Sequence, residues 1–179
     1  MGKKKETKIA GPLKIDLGCG PNKREGFLGV DERQFGGKVD LVHDLRKPWP
    51  WKDDSVDELN ASHFLEHLTW PERVHFFNEA YRVMKKGATG NIVIPHWCSS
   101  RFYGDPTHKE PISEFAFMYI NKAWRDANAP HTGYKCDFDA TWGYAPHPGL
   151  VGRNQEYIQN ALTWWKEAAT DLQVTITRK

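Results

Sequence analysis

Ile15-Asp16-Leu17-Gly18-Cys19-Gly20 is the stretch that decides the fold. Leu13–Leu17 alternates apolar and polar residues and stops at a glycine pair, which reads as a strand running straight into a tight turn. Glycines at that point let the backbone turn sharply and let a ligand approach the main chain. In an open α/β sheet the same point is the ligand crevice at the carboxyl ends of the strands. A dinucleotide fingerprint would need a third glycine where Lys23 stands, and the loop lacks the Gly-Lys-Ser/Thr of a phosphate-gripping loop. Asp16 precedes the first glycine by two residues, and Asp31 closes the next apolar run, Phe27–Asp31. A carboxylate there suits a ribose diol, which offers two donors.

Outward from this loop, Val39–Leu45, Val56–Ser62 and Asn91–Pro95 read as further strands. Pro48 and Pro50 make Lys47–Asp54 a loop. Thr69 and Glu72 form a capping box, and Val74, Phe77, Tyr81 and Met84 follow at helical spacing. The sequence predicts that this helix stops at Gly87, with Lys85 and Lys86 at the negative end of its dipole. Strands alternating with turns or helices indicate a parallel α/β sheet. The rhythm breaks over residues 96–150, where aromatics, His, Pro and Gly are frequent. A helix is expected near Ile112–Trp124 and a strand near Lys135–Tyr144. Ile158, Leu162, Trp165 and Ala169 give a last helical stripe, which assigns Trp165 to the core. Leu172, Val174 and Ile176 alternate with polar residues in the final strand.

The chain of 179 residues fits one domain, expected over residues 11–179 behind a basic tail at 1–10. Lys plus Arg is 25 against 23 Asp plus Glu, so a nucleic-acid partner is not indicated. Aromatics at 13% argue against disorder, and no apolar run is long enough to cross a membrane. The first six residues carry neither a secretory pattern nor, with Glu6 in the place of Ser or Thr, a myristoylation pattern. Cys19, Cys98 and Cys136 are widely spaced, as free thiols of a reducing compartment are, so a cytoplasmic location is expected.

An ordered series now stands out. It comprises the glycine loop through Lys23, Gly29-Val30-Asp31, Val42–Leu45, Pro48–Asp57, Ala61–His67 and Glu79–Gly87. It resembles the class I S-adenosylmethionine-dependent methyltransferases, in the group of small type 11 domains with bacterial and phage members. The resemblance implies an α/β, Rossmann-like sheet of the seven-stranded type with its last strand antiparallel. It also implies a first helix shortened to a turn, because only Pro21–Glu25 separate the glycine pair from Gly26, and an enlarged acceptor-binding region over 96–150. The implied activity is transfer of a methyl group from S-adenosyl-L-methionine to an acceptor, a small molecule by preference, with release of S-adenosylhomocysteine. The alternative is a non-catalytic S-adenosylmethionine-binding module with a regulatory or structural role.

By the same resemblance, Asp16, Gly18 and Gly20 would line the methionine moiety and Asp31 would bind the ribose hydroxyls. Asp44 and Leu45 would sit beside the adenine, and Ser62 and His63 would face the methyl end. Asn22 or Lys23 would hold the carboxylate in place of the missing helix. A base is needed only for an acceptor that must lose a proton, and His63, Asp105 and His108 are the candidates. Gly104–His108 resembles a Gly-Asp-Pro-x-His run of some bacterial and phage members. His63–His67 also spells H-x-x-E-H. Zinc would need that motif on a helix and a third ligand elsewhere, so no metal site is expected. Ala61-Ser62-His63-Phe64 lacks the Pro-Pro-aromatic run of amino-group DNA methyltransferases, and Cys98 stands three residues after Pro95 rather than beside it.

Overall fold

The computed structural model describes residues 11–179, and the basic tail expected over residues 1–10 lies outside them. Seven strands form one sheet: β1 (Lys14–Leu17), β2 (Leu28–Asp31), β3 (Leu41–Val42), β4 (Val56–Ser62), β5 (Met84–Pro95), β6 (Phe138–Pro146) and β7 (Ala169–Arg178). Their order is β3-β2-β1-β4-β5-β7-β6. β7 runs antiparallel to both neighbours, and the pairings from β3 to β5 are parallel. The chain leaves β1 in one direction across the sheet and returns to β4 on its other side. That switch point opens a crevice at the carboxyl ends.

Period-two alternation sorts the strand side chains onto two unlike faces. On one face, Ile15, Leu59, Ile92, Val174 and Ile176 join a single core with Phe76, Phe77, Ala80 and Val83 of α1 (Trp70–Val83). Phe117 and Ile120, from a 3-10 segment at Glu114–Ile120, close the same layer. On the other face the register aligns two polar rows, Lys14–Glu58–Thr89–Thr177–Asp139 and Asp16–Asn60–Asn91–Thr175–Thr141. Lys14 pairs with Glu58 at 2.7 Å, and Asn60 Nδ2 donates to Asp16 Oδ1 at 2.7 Å. Among the described residues no helix lies between β1 and β4, and turns at residues 20–21 and 25–26 stand in place of the first helix.

The other helices are α2 (Ser100–Tyr103), α3 (Lys122–Asn128) and α4 (Gln155–Trp164). Three sequence expectations shift. α1 ends at Val83, not Gly87, because Met84 turns extended and pairs with Val56 while Lys85 reaches Asp57 at 2.6 Å. Its buried face is Arg73, Phe76, Phe77, Ala80 and Val83, so Val74 and Tyr81 are only half-buried. Trp165 is 50% exposed, stacked edge-on against Tyr157, because α4 has its own small cluster of Leu150, Ala161 and Ala168. The helix expected at Ile112–Trp124 divides into the 3-10 segment and α3, where Asn121 caps through Trp124 N.

α1 also fastens the Trp49–Asp54 loop. Glu79 accepts from Trp49 N at 2.6 Å, and Arg82 donates to Trp51 O at 2.8 Å and to Glu79 Oε1 at 2.8 Å. The Arg82 guanidinium, helped by Trp49 N–H and opposed by burial, holds the Glu79 carboxyl below the usual range. Glu79→Gln should therefore lower unfolding free energy by about 1.5–3 kcal/mol in urea titrations at pH 7. A lowered native pKa contributes stability above the unfolded-state value and loses it as the pH falls through the native value. The gap between wild type and Glu79→Gln should therefore close in acid.

Candidate functional site

β1 ends in backbone that only glycine takes without strain: Gly18 has φ +66° and Gly20 has φ +51°. A Cβ on Gly18 would lie 2.3 Å from the Phe64 ring, whereas a Cβ on Gly20 would meet nothing within 4 Å. The loop is tied across to β2, with Cys19 N donating to Val30 O at 3.1 Å and Gly20 N to Asp31 Oδ2 at 2.9 Å. Asp31 Oδ1 accepts from Arg33 N at 3.2 Å. Asp16, 3% exposed, accepts from Arg24 N at 2.7 Å beside its bond from Asn60. Burial, then Asp16, Asp31 and Asp40, push the Cys19 thiol up to about 11, so it stays protonated near neutrality.

Two cavities meet over this loop, and Gly18 and His63 line both. One, of about 420 Å³, is walled by Asp31, Asp44, Leu45, Phe35 and Arg46. Arg46 bonds the Asp44 carboxylate at 2.7 Å and holds it below the usual range. The other, of about 560 Å³, is walled by Asp16, Gly20, Asn22, Arg24, Asn60 and Ser62. Lys23 is not on it; its Nζ pairs with Asp40 at 2.9 Å. Arg24 is, with its guanidinium bonded to Asn60 Oδ1 at 3.0 Å and lying 4.7 Å from the centroid of the Phe27 ring. Sequence reasoning passed over Arg24. Two adjacent cations gave no sign of which one faces the crevice until Asp40 was seen to take Lys23.

His63 adopts φ +53° just after the last ladder residue of β4, with its N–H donated to Val93 O at 2.8 Å. Glu66, 3.3 Å from its Nδ1, raises its pKa; burial opposes this, and Asp171, 3.9 Å from Nε2, adds to it. Asp105 lies at the surface, accepting from Thr107 Oγ1 at 2.6 Å and Thr107 N at 2.8 Å, bonds that hold its carboxyl below the usual range. The His108 side chain is 8% exposed and sits behind the turn, its Nδ1 2.7 Å from Phe102 O. Thr107 and Lys109, from the same turn, are the residues on the cavity wall. Lys109 N donates to Glu66 O at 2.8 Å, which fastens this turn to the 3-10 turn Leu65–His67.

Residues 15–90 match the family described as "Methyltransferase domain". Across 94% of the chain the fold matches a SAM-dependent methyltransferase from Archaeoglobus fulgidus, with TM-score 0.68, 22% identity and 87% of that chain covered. A possible histamine N-methyltransferase from Thermotoga maritima matches over 96% of this chain and 84% of its own, with TM-score 0.60 and 16% identity. The geranyl diphosphate C-methyltransferase of Streptomyces coelicolor A3(2), in complex with Mg2+, geranyl diphosphate and S-adenosyl-L-homocysteine, matches over 94% and 74%, with TM-score 0.58 and 14% identity. A search of curated protein sequences finds no match. The family match and the sheet together define a class I SAM-dependent methyltransferase fold.

The two glycines should respond differently to a methyl group. Gly20→Ala should cost only its left-handed conformation, about 1–2 kcal/mol. Gly18→Ala should cost more, because the Phe64 ring must also move. Urea unfolding of the two variants measures the difference, and equal losses would mean that Phe64 yields freely.

Proposed function

We propose that the protein binds S-adenosylmethionine across the two cavities and transfers its methyl group to an acceptor, releasing S-adenosylhomocysteine. The observation that carries this reading is the bonding of Asp31. Each of its oxygens accepts one backbone N–H, which fixes the carboxylate and leaves each oxygen a lone pair for one of two adjacent hydroxyls. The rest of the wall suits the same molecule. Asp44 and Leu45 offer a polar edge and an apolar face for a base. Gly18 and Gly20 admit a ligand close to the main chain, and Arg24 gives a cation for an amino-acid carboxylate. Complexes of a neighbouring fold with S-adenosyl-L-homocysteine support the reading.

S-adenosylmethionine supplies a methyl group already activated on its sulfonium. The chain's residues therefore have to hold, align and exclude water. Residues 96–150 would form the acceptor side. His63, at the junction of the cavities, would be the group that takes a proton from an acceptor, whereas Asp105 and His108 lie off both cavity walls and would bear on an acceptor only through Thr107. A small molecule is the favoured acceptor, and the cytoplasm the favoured location.

Titration calorimetry separates the parts. Asp31→Ala should weaken S-adenosylmethionine by about tenfold to a hundredfold, the loss of hydrogen bonds worth about 1.5–3 kcal/mol. Arg24→Gln should weaken S-adenosylmethionine but not methylthioadenosine, which lacks the carboxylate, whereas Asp31→Ala should weaken both. Unchanged affinity in Asp31→Ala would remove the proposal. Methyl label passing from S-adenosylmethionine to a component of cell extract distinguishes an enzyme from a binding module.

A further inference from the structure

We propose that Glu66, His67 and His108 form a binding site for a divalent first-row transition-metal cation, of the kind represented by Zn2+ and Co2+. The Glu66 side chain is 1% exposed, and neither carboxylate oxygen has a hydrogen-bond partner. A buried carboxylate without a partner is costly, so a positive group belongs beside it. Imidazoles surround it. His63 Nδ1 lies 3.3 Å from Oε1 outside hydrogen-bond geometry, and His108 Nε2 lies 4.0 Å away. One ligand atom from each of Glu66, His67 and His108 lies within 4.8 Å of the other two.

The protons of the two histidines are accounted for elsewhere. His108 Nδ1 faces the carbonyl of Phe102 at 2.7 Å, so it carries an N–H, and Nε2, which lies 4.0 Å from Glu66 Oε1 and 3.8 Å from Asp105 Oδ2, is the lone pair of the neutral ring. Thr107 Oγ1 donates to Asp105 Oδ1 at 2.6 Å, so it accepts from His67 Nδ1 at 3.1 Å. His67 likewise keeps one unprotonated ring nitrogen. With both rings neutral, each histidine keeps one lone pair in the cluster that holds the Glu66 carboxylate. Neutral histidine with its other nitrogen bonded to an oxygen is the arrangement that orients metal ligands. Two imidazoles and one carboxylate suit zinc, cobalt or iron(II) rather than the all-oxygen shells of magnesium and calcium.

The sequence motif is used in an unexpected way. His63 and His67 do not share a helix; Glu66 and His67 are neighbours on a 3-10 turn, and the third ligand comes from His108, on the turn that Lys109 N fastens to Glu66 O. Three protein ligands leave coordination positions open, and His67 and Thr107 stand on the wall of the 420 Å³ cavity. Asp105, which holds Thr107 against His67, is a positioning residue.

The test is a Co2+ titration of chelator-treated, full-length protein, followed by visible absorption and by thermal melting. One Co2+ per chain should bind saturably, raise the melting temperature and be displaced by Zn2+. Glu66→Gln and His108→Gln should each weaken Co2+ by more than a hundredfold, and Asp105→Asn by about ten- to a hundredfold. Circular dichroism checks that the variants fold; if one does not, the other, with His67→Gln, carries the measurement. Asp31→Ala should keep Co2+ binding while losing S-adenosylmethionine affinity, so the two proposals fail separately. Absence of saturable one-to-one binding in the wild type, or binding unchanged in the folded ligand variants, overturns the metal site.

Discussion

A mostly parallel sheet is ordinarily covered on both faces, and its strands then read as continuous apolar runs. Here, among the described residues, no helix joins β1, β2, β3 and β4, and the strands carry an apolar and a polar surface at once. The buried apolar side chains of β1, β4, β5 and β7 are committed to the layer under α1, and the polar rows face out. Lys14, Glu58, Asp16 and Asn60 satisfy one another across strands instead of lying under a helix. The main core is correspondingly aromatic. Trp49, Phe76, Phe77, Phe117 and Phe138 meet edge to face at centroid separations of 5.3–6.5 Å. Large rings fill the layer with few residues, which is how a chain with 39% hydrophobic residues closes a seven-stranded sheet.

The open face runs into the crevice. Asp16 and Asn60 belong both to a polar row and to the cavity wall, and Arg24 is held by the pair, its N–H on Asp16 and its guanidinium on Asn60. In doubly wound folds the N–H groups at the start of the first helix make a ready anion site. This chain turns through residues 21–27 without that helix and presents a guanidinium there instead. Losing the helix and placing Arg24 are two results of the same short connection.

Much of this is legible in the residues, and the exceptions have physical causes. β4 appears at the residues expected, Val56–Ser62, and the glycine loop is legible because its chemistry is contiguous. α1 ends early because tertiary pairing of Met84 with Val56 overrides a local stop signal at Gly87. The stripe through Trp165 is real as a pattern, but α4 packs on a minor cluster that leaves the ring in water. Lys23 and Arg24 are indistinguishable by position, and only Asp40, brought close by β2, separates them. His108 lies far from Glu66 along the chain, and no spacing rule joins them. A main-chain bond between the two turns does.

His63 is where the two halves of the site touch. A non-glycine residue at φ +53° costs about 1–2 kcal/mol, and such strain persists only where the surroundings over-determine it. Here its N–H is fixed on Val93 O, and its ring is flanked by Glu66 on one side and Asp171 on the other. Asp171 is in turn held by Arg101 at 2.7 Å, so β7, α2 and the turn after β4 all bear on one imidazole. The same left-handed step brings His63 to the wall of both cavities and starts the 3-10 turn that carries Glu66 and His67. The backbone strain thus joins the glycine loop to the histidine–carboxylate cluster, two groups of residues that the sequence keeps apart.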